Sequence, residues 1–246
     1  MNRRTYTVEA FVAHRRDLGE TDKLLVLFSR EMGRISAIAR GARKPGSSLA
    51  GSTDALCFAK YHLAKGRQFD YVTQAQPLRT FAHLRSDLLR TACALELAEI
   101  IERAMGDHQP NEAAYDLALL TMELLDGASD PAAVSAWSEL HLMRVLGYHP
   151  RLDDCASCHR PLPPRAAFSP GAGGLMCRAC SRGRRDALGL SAEAVAELRA
   201  LAAADSPPPA LKACGALRRV YRTVWQHVLD SDLRSANFLD DLLSIG

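Results

Sequence analysis

Aromatic side chains are scarce in this chain: they make up 6% of its 246 residues, and only two are tryptophan. Six aromatics of the first third are therefore weighed singly as candidates for stacking against a planar base: Tyr6, Phe11, Phe28, Tyr61, Phe69 and Tyr71. A small barrel claims most of its aromatics for its core. Long apolar runs are also missing. No stretch approaches the roughly 20 apolar residues of a membrane span, so no membrane contact is expected. The first seventeen residues carry cations but no apolar run of the kind a secretory signal needs. Seven cysteines without such a signal are expected to be reduced thiols in a cytoplasmic protein, with any cluster of them binding metal. Catalytic signatures are absent as well. There is no phosphate-binding GxxxxGK, no GxSxG, no HExxH and no GxGxxG, and the eight histidines are scattered. These absences point away from an enzyme. No internal repeat or low-complexity tract occurs.

Charge is present but unevenly placed. Residues 1–85 hold 15 Lys and Arg against 7 Asp and Glu, whereas residues 86–246 hold 16 against 21. A basic first third joined to a mildly acidic remainder suggests a polyanion bound by the N-terminal part. The densest stretch is Arg30 to Leu49, with Arg30, Arg34, Arg40, Arg43 and Lys44 against Glu31. An alternating run, Arg34 to Arg40, reads as a strand. It feeds a basic loop punctuated by Gly41, Pro45 and Gly46, which can present cations and backbone N–H groups to phosphates. A solvated hairpin is the plainer alternative.

Around this stretch the period is that of strands. Thr5 to His14 places Tyr6, Val8, Ala10 and Val12 on one face, and Leu24 to Phe28 is a short apolar run. Ala55–Leu63 and Gln68–Thr73 form a further pair. Five strands in about 75 residues fit a small closed barrel of the oligonucleotide-binding (OB) type, with an SH3-like barrel as the alternative. Cations gather at the turns: Arg15, Arg16 and Lys23 about the first, Lys65 and Arg67 about the last. The expected DNA contacts are therefore Arg15, Arg16, Lys23, Arg30, Arg34, Arg40, Arg43, Lys44, Lys65 and Arg67.

After Pro77 the period becomes helical. One long helix is expected from Arg79 to Met105. A second, capped by Asn111, reaches Leu125. A third starts at Asp130-Pro131 and runs to Leu146. Three such helices would make a compact bundle, with Cys93 in its core. Then come Cys155 and Cys158, eighteen residues, and Cys177 and Cys180. Two such CxxC pairs are expected to hold one zinc ion in a closed four-thiolate site, structural rather than catalytic. The intervening segment, rich in Pro and Gly, suits a hairpin. Cys155 to His159 also matches the CxxCH pattern of haem attachment, but that would leave Cys177 and Cys180 without a use. Arg178, Arg182, Arg184 and Arg185 beside the second pair are a secondary DNA candidate or a solvated loop. Cys57 and Cys214 read as small apolar residues.

Ser191 opens a helix to Ala204, which Pro207 to Pro209 break. A long helix from Ala210 to Leu229 follows, with Leu211, Leu217, Val220, Tyr221, Val224 and Val228 along one stripe and Arg218, Arg219 and Arg222 on or beside the opposite face. The segment Asp232 to Leu243 closes the pattern. The chain thus reads as an α+β multidomain protein: an OB-fold barrel over 1–78, a helical bundle over 79–150, a four-cysteine zinc-finger module inserted over 151–188, and C-terminal helices over 189–246.

Several stretches carry a resemblance. They are Arg15 to Leu24 with its Gly19-Glu20-Thr21-Asp22 turn, Leu27 to Arg34, Ala39 to Lys44, Leu146-Gly147-Tyr148-His149-Pro150 leading to Cys155, and Gly173-Gly174 before Cys177. In this order and spacing the sequence resembles the RecO family of bacterial recombination mediators, over most of its length. The resemblance implies binding to single- and double-stranded DNA and annealing of complementary strands. It implies a complex with RecR and, in the RecF pathway, help in loading RecA onto strands coated by single-strand-binding protein (SSB), whose acidic C-terminal tail would be contacted. It implies a cytoplasmic, nucleoid-associated protein, taken here as a monomer when isolated. The helices of residues 95–146 and 220–243 are expected to include the groove for that tail, with Arg103 and Arg144 as candidates for its carboxylate. Two rival classes stand beside this reading. A zinc-dependent hydrolase or nuclease would need an open metal position, and a transcription regulator would read bases through the zinc module.

Overall fold

A computed structural model describes residues 4–245. The chain divides into two compact units, the first ending at Asp126 and the second beginning at Gly127.

The first unit opens with β1 (Thr5–Leu18), β2 (Asp22–Ser29) and β3 (Gly33–Ala39), a meander of antiparallel neighbours, followed by the hairpin of β4 (Phe58–Ala64) and β5 (Asp70–Arg79). The five strands close into a barrel in the order β1-β2-β3-β5-β4. Antiparallel β1–β4 pairing seals one side. A short parallel seam, Ala37 with Asp70 and Ile38 with Tyr71, seals the other. The strand alternation read from the sequence fills the interior. Val8, Ala10, Val12, Leu25, Leu27, Ile35, Ala37, Tyr61, Leu63 and Val72 form one buried cluster, with Tyr6 packed at its edge. Tyr61 donates its hydroxyl to the Ser52 carbonyl at 2.6 Å, which satisfies the polar tip of a fully buried ring.

Outward-facing residues of the same strands make a second apolar layer. Phe11, Phe28 and Phe58 are buried against Tyr115, with ring centroids 6.3 to 6.4 Å from it. Tyr115 belongs to α3 (Glu112–Gly127), which follows α1 (Ala82–Ser86) and α2 (Leu88–Ala104). Asn111 caps α3 as expected, its Oδ1 accepting from Ala114 N at 3.0 Å. The single helix expected over Arg79 to Met105 is instead a strand end and two helices. β5 continues to Arg79, paired with Phe58, so the ladder claims residues whose period looks helical. Phe81 turns the chain with φ +44°. Asp87 then stays extended and caps α2, accepting from Arg90 N at 2.9 Å. The tight turn at Gly33 (φ +63°) also has a steric reason: a Cβ there would lie 2.0 Å from the Gln109 carbonyl oxygen.

The second unit starts with α4 (Pro131–Val145), capped by Asp130, whose Oδ1 accepts from Ala132 N and Ala133 N. Next comes a small sheet of β6 (Ala166–Ser169), β7 (Gly174–Met176) and β8 (Leu188–Leu190) in the order β7-β6-β8, with the short helix α5 (Arg178–Ser181) after β7. The expected hairpin is β6–β7. Three helices complete the unit: α6 (Ala192–Ala203), α7 (Cys214–Leu229) and α8 (Arg234–Ile245). Ser191 caps α6 through Ala194 N at 3.1 Å. α7 begins later than its apolar stripe suggests. The Glu197 carboxylate accepts from Lys212 N and Ala213 N at 2.7 and 2.8 Å, fixing these residues ahead of the helix. Leu217, Val220, Tyr221 and Val224 are buried as expected. Arg218 is not on a solvated face: it is buried on Glu139 of α4 and Asp240 of α8.

Candidate nucleic-acid interface and metal centre

The basic loop after β3 is built onto the turn after β1. Gly41 N donates to Asp22 Oδ1 at 2.8 Å, and Arg43 N donates to the Thr21 carbonyl at 2.9 Å. Asp22 is half-buried, and its carboxyl lies below the usual range. The hydrogen bond from Gly41 N is the main cause, helped by the Thr21 hydroxyl and the nearby charges of Arg40 and Lys44. One acid thus shapes a loop whose other side chains are cationic.

The ten expected contacts separate into distinct environments. Arg16, Arg40, Lys44, Lys65 and Arg67 are exposed, and none of them has an ion pair among the described residues. Arg40 lies over the Tyr71 ring, 4.6 Å from its centroid, and Lys65 lies 5.7 Å from that of Tyr6. Arg43 is exposed but held, by Asp17 at 3.3 Å and the Gly19 carbonyl at 3.1 Å. Arg15 sits 3.6 Å from Asp54. The remaining three are held most firmly. Lys23 shares the inward face of β2 with Leu25 and Leu27. Its ammonium ends on Thr53 Oγ1 at 3.3 Å and Asp54 Oδ1 at 3.0 Å, leaving the residue 8% exposed. Arg34 donates to Asp107 at 2.8 Å and to the Glu102 carbonyl at 2.6 Å. Arg30 pairs with Asp116 at 3.0 Å and Glu112 at 3.5 Å. Arg30 and Arg34 therefore fasten the β2–β3 hairpin to acids near and within α3. Among the aromatics, Phe11, Phe28 and Tyr61 are sealed in the two apolar layers, whereas Tyr6, Phe69 and Tyr71 are half-exposed.

The metal centre is assembled from two chain segments. The ligand atoms of Cys155, Cys158, Cys177 and Cys180 all lie within 4.8 Å of one another. Cys158 Sγ and Cys177 Sγ are 3.9 Å apart, close to the about 3.8 Å between sulfurs in a tetrahedral site with bonds of about 2.3 Å. Backbone amides point at the sulfurs, Cys177 N donating to Cys155 Sγ at 3.4 Å. Burial alone would raise the Cys155 thiol, but backbone N–H groups of Cys158, Cys177 and Ser157 outweigh it and bring it down to about 6. Backbone hydrogen bonding from Cys180 lowers Cys177 too. Cys180 itself is pushed up to about 12 by the sulfurs of Cys158 and Cys177. Four thiolates this close repel one another, which is the electrostatic need a soft dication meets, so the residues fit a metal ion. His159 lies outside the cluster, beside Arg151 at 3.3 Å.

The Gly173-Gly174 pair has a structural reason that its sequence could only hint at. Gly174 pairs with Arg151, whose backbone passes so close that a Cβ on Gly174 would lie 2.2 Å from its carbonyl oxygen. This contact sets β7, and Cys177 after it, against the segment leading to Cys155. Of the arginines beside the second cysteine pair, Arg184 is engaged with Asp186 at 3.1 Å and Arg185 is exposed. Of the two helix arginines considered for an acidic tail, Arg103 sits 3.4 Å from Glu99 and Arg144 is exposed. No helix among the described residues is long and apolar enough to cross a membrane.

Comparison with known proteins adds a family. Residues 1–81 match the family model described as recombination protein O N terminal, and residues 85–235 match that described as recombination protein O C terminal. Curated relatives carry the name DNA repair protein RecO. That of Desulfitobacterium hafniense (strain DSM 10664 / DCB-2) is 40% identical over 186 residues, covering 75% of this chain and 68% of the relative. That of Roseiflexus sp. (strain RS-1) is 37% identical over 254 residues, covering 98% and 87%. That of Gloeobacter violaceus (strain ATCC 29082 / PCC 7421) is 35% identical over 248 residues, covering 98% and 94%.

Proposed function

This chain belongs to the RecO family, and from that membership we propose that it is a recombination mediator in DNA repair that works by holding strands rather than by catalysis. The observation that carries the reading is the pair of family matches, one over the barrel and one over the rest. The barrel supports it physically. Exposed Arg16, Arg40, Lys44, Lys65 and Arg67 suit contacts to a phosphate backbone, which are sequence-tolerant and bind single or double strands alike. Bringing two strands together on such a surface screens their mutual repulsion, and annealing follows without nucleotide. In this reading the protein acts with RecR to load RecA onto SSB-coated strands and contacts the acidic SSB tail, in the cytoplasm at the nucleoid. The four cysteines hold one zinc ion that shapes the second unit. A closed set of four thiolates leaves no position for a reacting water, which argues against a zinc hydrolase.

The test is fluorescence-monitored annealing of complementary oligonucleotides at low salt, without nucleotide, comparing the protein with its Arg40→Ala, Arg43→Ala, Lys44→Ala triple variant. Rapid annealing by the natural sequence and its loss in a folded, zinc-loaded variant are expected. No annealing by the natural sequence would overturn the reading. Copurification with RecR and with an SSB tail peptide tests the two partners separately.

A further inference from the structure

The outer surface of the barrel carries a row of side chains that lies outside its interior cluster. Arg16 pairs with Leu24 across β1 and β2, Leu24 with Ile38 across β2 and β3, and Ile38 with Tyr71 across the parallel seam to β5. Residues directly opposite in a sheet share a face. Their inward neighbours, Leu25, Ala37, Ala39 and Val72, belong to the barrel core, so this row faces out. It spans three strand spacings, about 14 Å. An exposed cation stands at one end, buried Leu24 and half-buried Ile38 lie in the middle, and a half-exposed tyrosine stands at the other. Arg40, two residues beyond Ile38 on the same face, covers the Tyr71 ring at 4.6 Å. An exposed guanidinium on an aromatic face contributes little to folding. The pair suits the two groups that a single strand offers, since the ring has a planar π-face for a base and the guanidinium a fork of donors for a phosphate.

We propose that Tyr71 is a stacking site for an unpaired base of a single strand, with Arg40 as the group that yields the ring. The inference rests on the DNA-binding reading and adds to it the discrimination between strand types. A base stacks on Tyr71 in place of the guanidinium, and Arg40 turns to the adjacent phosphate. Half-buried Ile38 offers an apolar contact to the neighbouring sugar or base, and Arg16 meets the backbone at the far end. In a duplex the bases are already stacked on each other, so only the phosphate contacts remain. The two residues therefore carry different signatures. Arg40 acts through charge and affects the salt dependence of binding to any strand. Tyr71 acts through stacking, which is independent of salt and needs an accessible base.

The experiment is fluorescence anisotropy across a salt series with three probes of equal length: a mixed-sequence single strand, its duplex, and a single strand of abasic sugar–phosphate units. The proteins are the natural sequence, Tyr71→Ala, Tyr71→Phe and Tyr71→Leu. For the mixed single strand, Tyr71→Ala is expected to weaken binding about tenfold without changing the salt slope. Duplex and abasic affinities stay at their natural values, and Tyr71→Phe binds all three as the natural sequence does. Tyr71→Leu keeps apolar bulk at the seam and guards against a folding defect; it is expected to lose single-strand affinity as Tyr71→Ala does. Undiminished single-strand binding by both Tyr71→Ala and Tyr71→Leu would overturn the proposal, as would an equal loss on the abasic strand. Natural single-strand affinity in Tyr71→Leu alone would reduce Tyr71 to a packing role. If the natural sequence binds none of the probes, the DNA-binding reading fails and this inference with it.

Discussion

Trp225 of α7 donates its indole N–H to Glu139 Oε2 of α4 at 3.1 Å. The other oxygen of the same carboxylate accepts from Arg218 Nη1, also at 3.1 Å, and the two charged side chains are 2% and 9% exposed. Arg218 continues to Asp240 of α8 through Nε at 3.1 Å and Nη2 at 3.0 Å, and Arg222 meets the other Asp240 oxygen at 2.9 Å. Three helices are thus joined through one buried guanidinium, that of Arg218. Glu139→Ala strips a buried guanidinium of a close partner, and a loss of about 3–5 kcal/mol is expected. Glu139→Gln keeps an acceptor and the shape, and costs less. Both tryptophans of the sequence, Trp137 and Trp225, lie in the second unit. The midpoint of urea unfolding followed by tryptophan fluorescence therefore reads this loss in that unit alone.

Gly174→Ala is expected to loosen the metal centre without touching a ligand. The new Cβ would meet the Arg151 backbone, so the strand that leads to Cys177 must shift. Gly189→Ala in β8 is the control, since a Cβ there meets nothing within 4 Å. Zinc retained against a chromogenic chelator should fall for Gly174→Ala and hold for Gly189→Ala. Cys177→Ser removes a ligand and should abolish stoichiometric zinc.

The separation of the cations predicts a split among variants. Neutralising Arg40 or Lys44 is expected to flatten the slope of log affinity against log salt by about 0.7 to 0.9 each. Arg30→Gln should leave that slope where it is, because Arg30 is already committed to Asp116 and Glu112. Lys23→Met should leave it unchanged as well and lower barrel stability instead, since the change removes the ammonium that Thr53 and Asp54 hold. Equal slope changes for Arg30 and Arg40 would overturn the division drawn here.

Asp107 supplies a pH dependence in the first unit. The Arg34 hydrogen bond holds its carboxyl below the usual value of 3.8, against an opposing effect of burial. A depressed folded value means that the interaction stabilises the fold above the unfolded value, and that this contribution disappears as pH falls through the folded one. Carbon-detected titration should place the Asp107 midpoint below 3.8 in the natural sequence, and Arg34→Ala should move it upward. A midpoint indifferent to Arg34 would contradict the pairing.

Much of this architecture was legible because it depends on local chemistry. Asn111 and Asp130 announce helix starts through the donors they satisfy, and the paired CxxC spacing admits few uses other than a shared ion. The barrel strands showed themselves by alternation. The residues hardest to read are those whose environment is set from afar. Arg30 and Arg34 look like free cations because their acids lie 73 to 86 positions away in sequence. Arg218 looks like a surface residue until Glu139, 79 positions earlier, is placed beside it. Lys23 could have been caught, since it alternates in phase with Leu25 and Leu27. The break at Asp87 was hidden because a helical period runs through Leu84 and Leu88 on both sides of it. Tyr71 differed from the other aromatics only in which way its strand turned it.

The parallel seam of the barrel has a kinetic consequence. Three of its joints are hairpins between successive strands, formed over short loops, and these close quickly. The β3–β5 joint links Ala37 to Asp70 and Ile38 to Tyr71, across more than thirty residues and with few rungs. The barrel is therefore expected to assemble as a three-stranded meander and a two-stranded hairpin, with this seam a late event of closure. Reopening should begin at the same place, so amide protons of Asp70 and Tyr71 should exchange ahead of those in β1 and β2. A nucleic-acid strand lying across Ile38 and Tyr71 would then bridge the two folding pieces and slow their separation.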